Sequence, residues 1–225
     1  MNYGNLKLKV GFLVLTIVFI PLPVVGLILW WHSLLFKGML FYLFLPFSII
    51  ISLLTYIVLM ILLAVIMYKT GAQIKEGVFN LNSKETYAWL KSIVLNNMIG
   101  MLTRIGIPNS ALRKLYSWIF PTKLGRTLVM EGIVEHSLVD VGDNTIIGHE
   151  AEIWGHMIEG DKIIIKKVRI GNNCTIGAKS VIMPGAVIGD NTIVGAMSLV
   201  PKNKVLKPNS VYVGVPARRI KKNNL

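Results

Sequence analysis

Residues 170-IGNNCTIGAKSVIMPGAVIGDNTIVGAMSLV-200 carry an aliphatic side chain at every sixth position. The same spacing starts upstream at Val141 and is interrupted once, after Ile153. Four residues after most of these positions stands a small side chain, as at Cys174, Ser180 and Ala186. A period of six fits neither the 3.6-residue period of a helix nor a simple strand alternation. It predicts a solenoid of short parallel strands with aliphatic side chains inside and one hexapeptide on each face.

Glycine follows most of the aliphatic positions, and we expect it where the chain must turn, with the small residues in tight corners. Stacked coils would bury a continuous core that no single coil could bury. Cys174 falls in the small-residue series, which favours a core position over a nucleophile. It is also the only cysteine in the chain, so an intramolecular disulfide is excluded.

Three motifs carry a resemblance to a known family: 155-GH-156, the repeat of residues 170–200, and 213-VGVPARRIKK-222. With them, residues 126 to 221 resemble the hexapeptide-repeat acyltransferases, in particular the galactoside and maltose O-acetyltransferases. The resemblance implies a left-handed parallel β-helix over residues 126–225. It also implies a homotrimer whose neighbouring subunits form grooves for acetyl-CoA, the co-substrate.

The resemblance also implies roles for individual residues. His156, in a loop that breaks the coil, aligns with the general base. Ala178 and Ala196 align with positions whose backbone binds the pantetheine arm. Three further cations align with phosphate contacts: Lys202, Arg218 and Lys221. A basic tail of residues 218–222 that touches anionic lipid is the alternative, and both uses could coexist.

The chemistry of the residues supports a histidine base. Attack on a thioester requires the acceptor hydroxyl or amine to lose a proton, and a neutral imidazole accepts one near neutral pH.

Glu135 and His136 lie near the position of an acidic acceptor-binding residue in the sugar enzymes, so both are candidates for acceptor contact. His149 is a third candidate for acceptor contact and a second candidate base, with an exposed turn residue as the alternative. Trp154 could stack on a substrate or be buried by the next subunit. The insert 157–168 is shorter than in the sugar enzymes, so the resemblance does not define the shape of the acceptor pocket.

The N-terminal third has a different composition. No Asp or Glu precedes Glu76, and the segments Val10–Trp31 and Met39–Tyr68 contain no charged residue. Each exceeds the roughly 20 helical residues that span a bilayer. Residues 1–68 are therefore predicted to be a transmembrane helical hairpin; the second span argues against a signal peptide. We expect a kink at Pro21 and Pro23, with a re-entrant segment as the alternative.

The charges flanking these segments predict an orientation in the membrane. Lysines precede the first span and follow the second, so by the positive-inside tendency both termini should be cytoplasmic. Trp30, Trp31 and His32 would mark a membrane interface.

Residues 69–125 are predicted to contain two helices, one capped by Asn82 or Ser83 and one that starts at Asn109–Ser110. Their mixture of basic, aromatic and aliphatic residues is typical of helices at a membrane surface, and equally of helices packed on the following domain. The expected fold class of the whole chain is therefore α+β.

The sequence favours a membrane-anchored acyltransferase that modifies a hydroxyl or amine of a sugar or surface-glycan precursor. The net charge of +13 does not indicate nucleic-acid binding, because no aromatic-basic platform accompanies it. A non-catalytic trimeric scaffold is one alternative. A γ-type carbonic anhydrase that binds zinc through His136, His149 and His156 is a second alternative, although the spacing of these histidines departs from that family. For the acyltransferase, no metal is expected.

Overall fold

The computed structural model describes residues 3–70, 73–104, 107, 109–126, 128–129 and 133–223. The chain separates into two compact units, Asn2–Ala72 and Gln73–Leu225.

The first unit is helical. Its helices are α1 (Tyr3–Phe19), α2 (Leu22–Leu35) and α3 (Met39–Lys69). The kink expected at the prolines lies between α1 and α2, where Ile20 and Pro21 form a turn because proline lacks the N–H that would continue the helix. By length and composition, two segments are apolar enough to cross a membrane, Gly11–Leu35 and Met39–Lys69.

His32 is buried against α3, with only 3% of its surface exposed, and its place at a membrane interface stays a prediction. Its Nδ1 lies 2.6 Å from Oγ of Ser48, and its Nε2 lies 3.3 Å from the carbonyl oxygen of Phe41. A buried imidazole requires such partners. The neighbouring Trp30 and Trp31 are exposed, in agreement with the composition of the segment.

The second unit begins with a short strand, β1 (Gly77–Asn80), and two helices, α4 (Lys84–Arg104) and α5 (Asn109–Ile119). Ser83 caps α4, since its Oγ accepts a hydrogen bond of 3.1 Å from the backbone N–H of Thr86. Both helices begin where the sequence predicts them.

Three parallel sheets form the β-helix that follows. The first contains β2 (Leu128–Val129), β5 (Ile146–Ile147), β10 (Thr175–Ile176), β13 (Ile193–Val194) and β16 (Ser210–Val213). The second contains β3 (Ile133–Val134), β6 (Glu152–Ile153), β11 (Val181–Ile182) and β14 (Leu199–Val200). The third contains β4 (Val139–Val141), β9 (Val168–Ile170), β12 (Val187–Ile188) and β15 (Val205–Leu206).

The strand register confirms one hexapeptide per face. Thr175 pairs with Ile193 on the next coil, and the separation of the two corresponds to three hexapeptides. The preceding partner of Thr175 is Ile146, and this pair is further apart in the chain because the insert enlarges the coil between them. The interior is formed by the aliphatic and the small series together, as Ile176 and Cys174 show, with 0% and 1% exposure.

The corners differ from the prediction. The turning residue stands three positions after the aliphatic residue and has positive φ: Asn144, Glu150, Asn173, Lys179, Asn191, Met197, Asn203 and Asn209. Asparagine tolerates this left-handed conformation better than most residues. The glycine that follows the aliphatic residue is needed for close stacking instead, since a Cβ on Gly177 would lie 2.3 Å from the backbone nitrogen of Ala196.

The insert is an ordered hairpin, whereas the sequence suggested an irregular loop. Its strands are β7 (His156–Glu159) and β8 (Lys162–Ile165), joined through Gly160 with φ 62°. β8 also pairs antiparallel with β1, so the hairpin and β1 form a three-stranded sheet. The pairing with β1, which lies far upstream in the chain, before α4, fixes the position of His156 at the start of β7.

The last coil ends in β17 (Arg218–Lys222), which turns back and pairs antiparallel with β16. At the other end, Leu124 forms an isolated parallel bridge with Val141.

Candidate active site

His156 and Glu135 form a hydrogen-bonded pair where the hairpin leaves the coil. Nδ1 of His156 lies 2.8 Å from Oε2 of Glu135. The Glu135 side chain has 0% exposure, while the His156 side chain has 19%. Since an ionised carboxylate only accepts hydrogen bonds, the contact assigns the ring proton to Nδ1. Nε2 is then left as the basic nitrogen of the neutral ring.

The buried carboxylate of Glu135 has two further donors. The backbone N–H of Gly155 donates to Oε2 at 2.8 Å, and Nε1 of Trp89 donates to Oε1 at 2.9 Å. A buried carboxylate is costly unless its oxygens are hydrogen-bonded, and with His156 these contacts give Glu135 three N–H donors. Glu135 therefore orients His156 from the buried side of the imidazole. Its complete burial does not support the predicted contact with an acceptor.

Two indole rings flank the imidazole. The ring centroid of Trp89 lies 4.5 Å from that of His156, and the ring of Trp154 stands nearly perpendicular to it at 5.7 Å. Nε1 of Trp154 donates to Oε2 of Glu152 at 3.1 Å. Trp154 is half-buried, so part of its surface remains available beside the base.

His136, another predicted acceptor contact, is buried under α5. Its ring centroid lies 3.9 Å from that of Tyr116. Burial lowers the pKa of His136 to about 4, and it raises the pKa of Tyr116. The geometry therefore supports a neutral core histidine at this position and does not support contact with an acceptor.

His149 occupies an exposed corner between β5 and β6. Its Nε2 lies 3.4 Å from Oε1 of Glu150, and the side chains of both residues are 56% exposed. Nothing in the described contacts of His149 joins it to the pair formed by Glu135 and His156. Its candidacy for acceptor binding stays a prediction.

The residues predicted to bind coenzyme A lie on the later coils. In the described part of the chain, the backbone N–H groups of Ala178 and Ala196 donate to no other protein group. Ala178 and Ala196 lie on stacked coils, as the bond of 2.9 Å from Met197 N–H to the Ala178 carbonyl shows. Backbone N–H groups that the protein does not use can donate to the amide carbonyls of a pantetheine arm.

The three cations predicted to bind phosphate lie on the last coil and on β17. Lys202 forms an ion pair with Glu159 of the hairpin, which ties the last coils to the strand that begins with His156. Arg218 and Lys221 are exposed on β17 and pair in register with Val213 and Val211. Exposed lysine and arginine side chains suit the phosphates of coenzyme A. Among the described residues, no group of three His, Cys, Asp or Glu side chains is placed to hold a metal ion.

Comparison with known proteins identifies the repeat. The family model "Bacterial transferase hexapeptide (six repeats)" matches residues 167–202. This region is a hexapeptide repeat of the bacterial transferase type. The Bacillus subtilis (strain 168) protein named "Putative acetyltransferase YvoF" is 34% identical over 110 residues, which cover 45% of this chain and 61% of that protein. The chain thus spans somewhat less than two thirds of this relative.

The solved structure of a maltose O-acetyltransferase shows the same fold. The maltose O-acetyltransferase of Clostridium difficile 630 aligns with 65% of this chain and 92% of its own, at 22% identity and a TM-score of 0.51. A galactoside acetyltransferase, solved in complex with coenzyme A, aligns with 65% of this chain and 86% of its own, at 24% identity and a TM-score of 0.48. The predicted resemblance and the α+β fold with a left-handed parallel β-helix are confirmed.

The sequence singled out His156 but missed how it is held. Glu135 was predicted to contact the acceptor, and nothing in the sequence indicated that Trp89 belongs to the site. The three residues lie far apart along the chain, so no local spacing reports their contact. The adjacent polar residues Glu135 and His136 were the available signal of a buried contact. At a buried strand end, one of two such side chains must find a hydrogen-bonding partner.

Proposed function

We propose that the protein is a membrane-anchored acyltransferase. It transfers an acyl group, expected to be acetyl, from coenzyme A to a hydroxyl or amine of a sugar or surface-glycan precursor. The observation that carries the proposal is the bond of 2.8 Å between Nδ1 of His156 and the buried carboxylate of Glu135. It leaves Nε2 of a partly exposed imidazole free to act as the general base.

The reaction follows from this arrangement. Nε2 of His156 removes the proton of the acceptor as its oxygen or nitrogen attacks the thioester carbonyl. The carbon–sulfur bond then breaks, and the imidazolium returns the proton to the departing thiolate, so that the products are free coenzyme A and the acylated acceptor. Glu135 stabilises the imidazolium while it exists. A positioned base of this kind contributes roughly 10²- to 10⁴-fold to the rate.

Coenzyme A is proposed to lie along the later coils, with its pantetheine arm against Ala178 and Ala196. The N–H groups of these residues are not used within the described protein, and their small side chains allow close approach. Lys202, Arg218 and Lys221 would bind the phosphates. We further propose a homotrimer in which a neighbouring β-helix closes this groove, as the resemblance implies.

The helical unit is proposed to anchor the enzyme in the cell membrane. Its two apolar segments contain 25 and 31 residues, each longer than the roughly 20 that a bilayer needs. Lysines flank both ends of this unit, so we place both termini on the cytoplasmic side. An acceptor linked to lipid would share the plane of the membrane with the enzyme, which supports a surface-glycan precursor as substrate.

The test compares membranes that contain the wild-type protein and His156→Ala. Release of the coenzyme A thiol from acetyl-CoA is measured over a panel of sugars, amino sugars and lipid-linked glycans. Lys162→Ala, an exposed position on the same hairpin, serves as the matched control. We expect turnover by the wild type and by the control, and a loss of roughly 10²-fold or more in His156→Ala.

Equal turnover by wild type and His156→Ala would contradict the catalytic assignment. A wild-type protein that forms a trimer but turns over no acceptor in the panel would favour the scaffold. Metal analysis and a carbon dioxide hydration assay on the same preparation test the carbonic anhydrase alternative.

A further inference from the structure

Helix α4 presents a polar stripe to the strand end that carries Glu135. The stripe consists of Trp89, Ser92 and Asn96, whose spacing of three and four residues places them on one face of the helix. Each of the three side chains makes a hydrogen bond to the segment Val134–Ser137. The helix lies outside the hexapeptide repeat, so the repeat alone does not complete the surroundings of the base.

Asn96 holds the backbone on both sides of Glu135. Its Nδ2 donates to the carbonyl of Val134 at 3.3 Å, and its Oδ1 accepts from the N–H of His136 at 3.1 Å. The side-chain amide thereby acts as a strand partner where β3 ends. Ser92 adds a bond of 3.2 Å from its Oγ to Oγ of Ser137. The backbone of Glu135 is thus fixed from α4.

Trp89 fixes the carboxylate itself. Its Nε1 binds Oε1 at 2.9 Å, while Gly155 and His156 both bind Oε2. The two oxygens are therefore held by separate donors, which prevents rotation of the carboxylate about its terminal bond. The same indole packs on the imidazole at 4.5 Å. Loss of the Trp89 N–H would leave Oε1 buried without that donor, and a buried unsatisfied charged group is strongly unfavourable.

We propose that α4 is the positioning element of the Glu135–His156 pair and that Trp89 is its positioning residue, which holds the Nδ1-protonated tautomer of His156 ready for proton transfer. This inference rests on the proposed function for its kinetic consequence. Its structural consequence, the tautomer of one imidazole, is independent of any substrate.

The kinetic test uses Trp89→Phe, which keeps an aromatic ring against His156 and removes the indole N–H together with the five-membered part of the ring. The control is Trp118→Phe on α5, where the tryptophan is 60% exposed. We expect kcat to fall roughly 10- to 100-fold in Trp89→Phe, the range that a hydrogen bond to a charged group supports, with the KM for acetyl-CoA unchanged. The control should keep wild-type kcat and KM.

The spectroscopic test measures ring ¹⁵N chemical shifts of histidine in the full-length protein in detergent, at a pH of about 8, where an ordinary imidazole is neutral. His156→Gln identifies the resonances of His156. The wild type should show protonated Nδ1 and unprotonated Nε2. In Trp89→Phe we expect a mixture of both tautomers, and in Trp118→Phe the wild-type pattern.

The outcomes separate the two proposals. A wild type without turnover but with the tautomer change in Trp89→Phe would overturn the function and support the positioning. Wild-type kcat and wild-type shifts in Trp89→Phe would overturn the positioning whatever the activity. Should that variant not fold, Asn96→Ala leaves Trp89 in place and loosens Glu135 from α4. It should produce the same mixed tautomer, and unchanged shifts would contradict the inference.

Discussion

The imidazole of His156 and the carboxylate of Glu135 meet at 2.8 Å although the two residues stand far apart in the chain, and only the histidine reaches the surface. The buried acid determines which nitrogen of the exposed base carries the proton. Such an arrangement is sensitive to the chemistry of the acid.

Glu135→Gln is therefore expected to lower kcat by roughly 10²- to 10⁴-fold while the protein stays folded, because an amide can donate to Nδ1 and stabilise the wrong tautomer. Initial rates with acetyl-CoA, with thermal unfolding measured in parallel, check this. The matched control is Glu152→Gln, a glutamate that contacts Trp154 but not His156. Wild-type kcat in Glu135→Gln would show that the carboxylate has no catalytic importance.

His136 should make the protein less stable in mild acid. Burial lowers its pKa to about 4 from an ordinary value of 6.5, so the unfolded chain binds this proton more readily between those values. The stabilising contribution is complete above a pH of about 6.5 and is lost as the pH falls toward 4, which amounts to roughly 3 kcal/mol of unfolding free energy. His136→Phe keeps a ring beside Tyr116 and should flatten this dependence.

The measurement is the free energy of denaturant unfolding at several pH values between these limits. His149→Gln, which removes an imidazole from an exposed corner, is the comparison variant and should retain the wild-type slope. A wild-type slope in His136→Phe would mean that His136 does not titrate in this range on unfolding.

Gly177→Ala should destabilise the β-helix. The added Cβ would lie 2.3 Å from the backbone nitrogen of Ala196, and backbone cannot move aside without disturbing the stack of coils. We expect a loss of about 1 to 3 kcal/mol. The same substitution at Gly100 of α4, where the nearest atom is 4.0 Å away, should leave stability unchanged or raise it. Equal effects at both positions would contradict the stacking explanation.

Lys202→Ala should raise the KM for acetyl-CoA about 10-fold, since one cation of the proposed phosphate site is removed, with little effect on kcat. Lys202 also pairs with Glu159, so Glu159→Gln separates the two roles. If the lysine serves the phosphates, Glu159→Gln should lower KM or leave it unchanged. A parallel rise of KM in both variants would indicate that Lys202 acts through the hairpin alone.

Ser48→Ala should weaken the pairing of α2 with α3. It removes the partner of Nδ1 of His32 at 2.6 Å, a bond worth about 0.6 to 2 kcal/mol between helices in an apolar environment. The resistance of the protein to unfolding by sodium dodecyl sulfate measures this. Ser33→Ala removes a serine that bonds to Trp30 within its own helix and should have less effect.

The regular elements could be predicted from the sequence because their signals are local. The six-residue period predicts the strands and the core, and a cap at Asn82 or Ser83 predicts the start of α4. The contacts that complete the site are not local. The hairpin of His156 depends on β1, and the orientation of Glu135 depends on Trp89, which is 46 residues away. Hydrophobic periodicity carries no information on such pairings.

The corner residues are an intermediate case. Asparagine recurs with the six-residue period at Asn173, Asn191, Asn203 and Asn209, so the left-handed corners left a readable trace. The prediction placed the more frequent glycines at the corners instead. Their role depends on the approach of the next coil, which requires knowledge of the stacking distance.

The strand β17 has a consequence for assembly. A parallel β-helix offers unpaired strand edges at its last coil, and another copy could add to them without limit. β17 occupies one of these edges, because it pairs antiparallel with β16. Four of its five residues are cations, so it repels the same strand of another copy. This edge of the last coil is thereby closed to strand pairing with another copy, a role like that of the capping repeats of other solenoids.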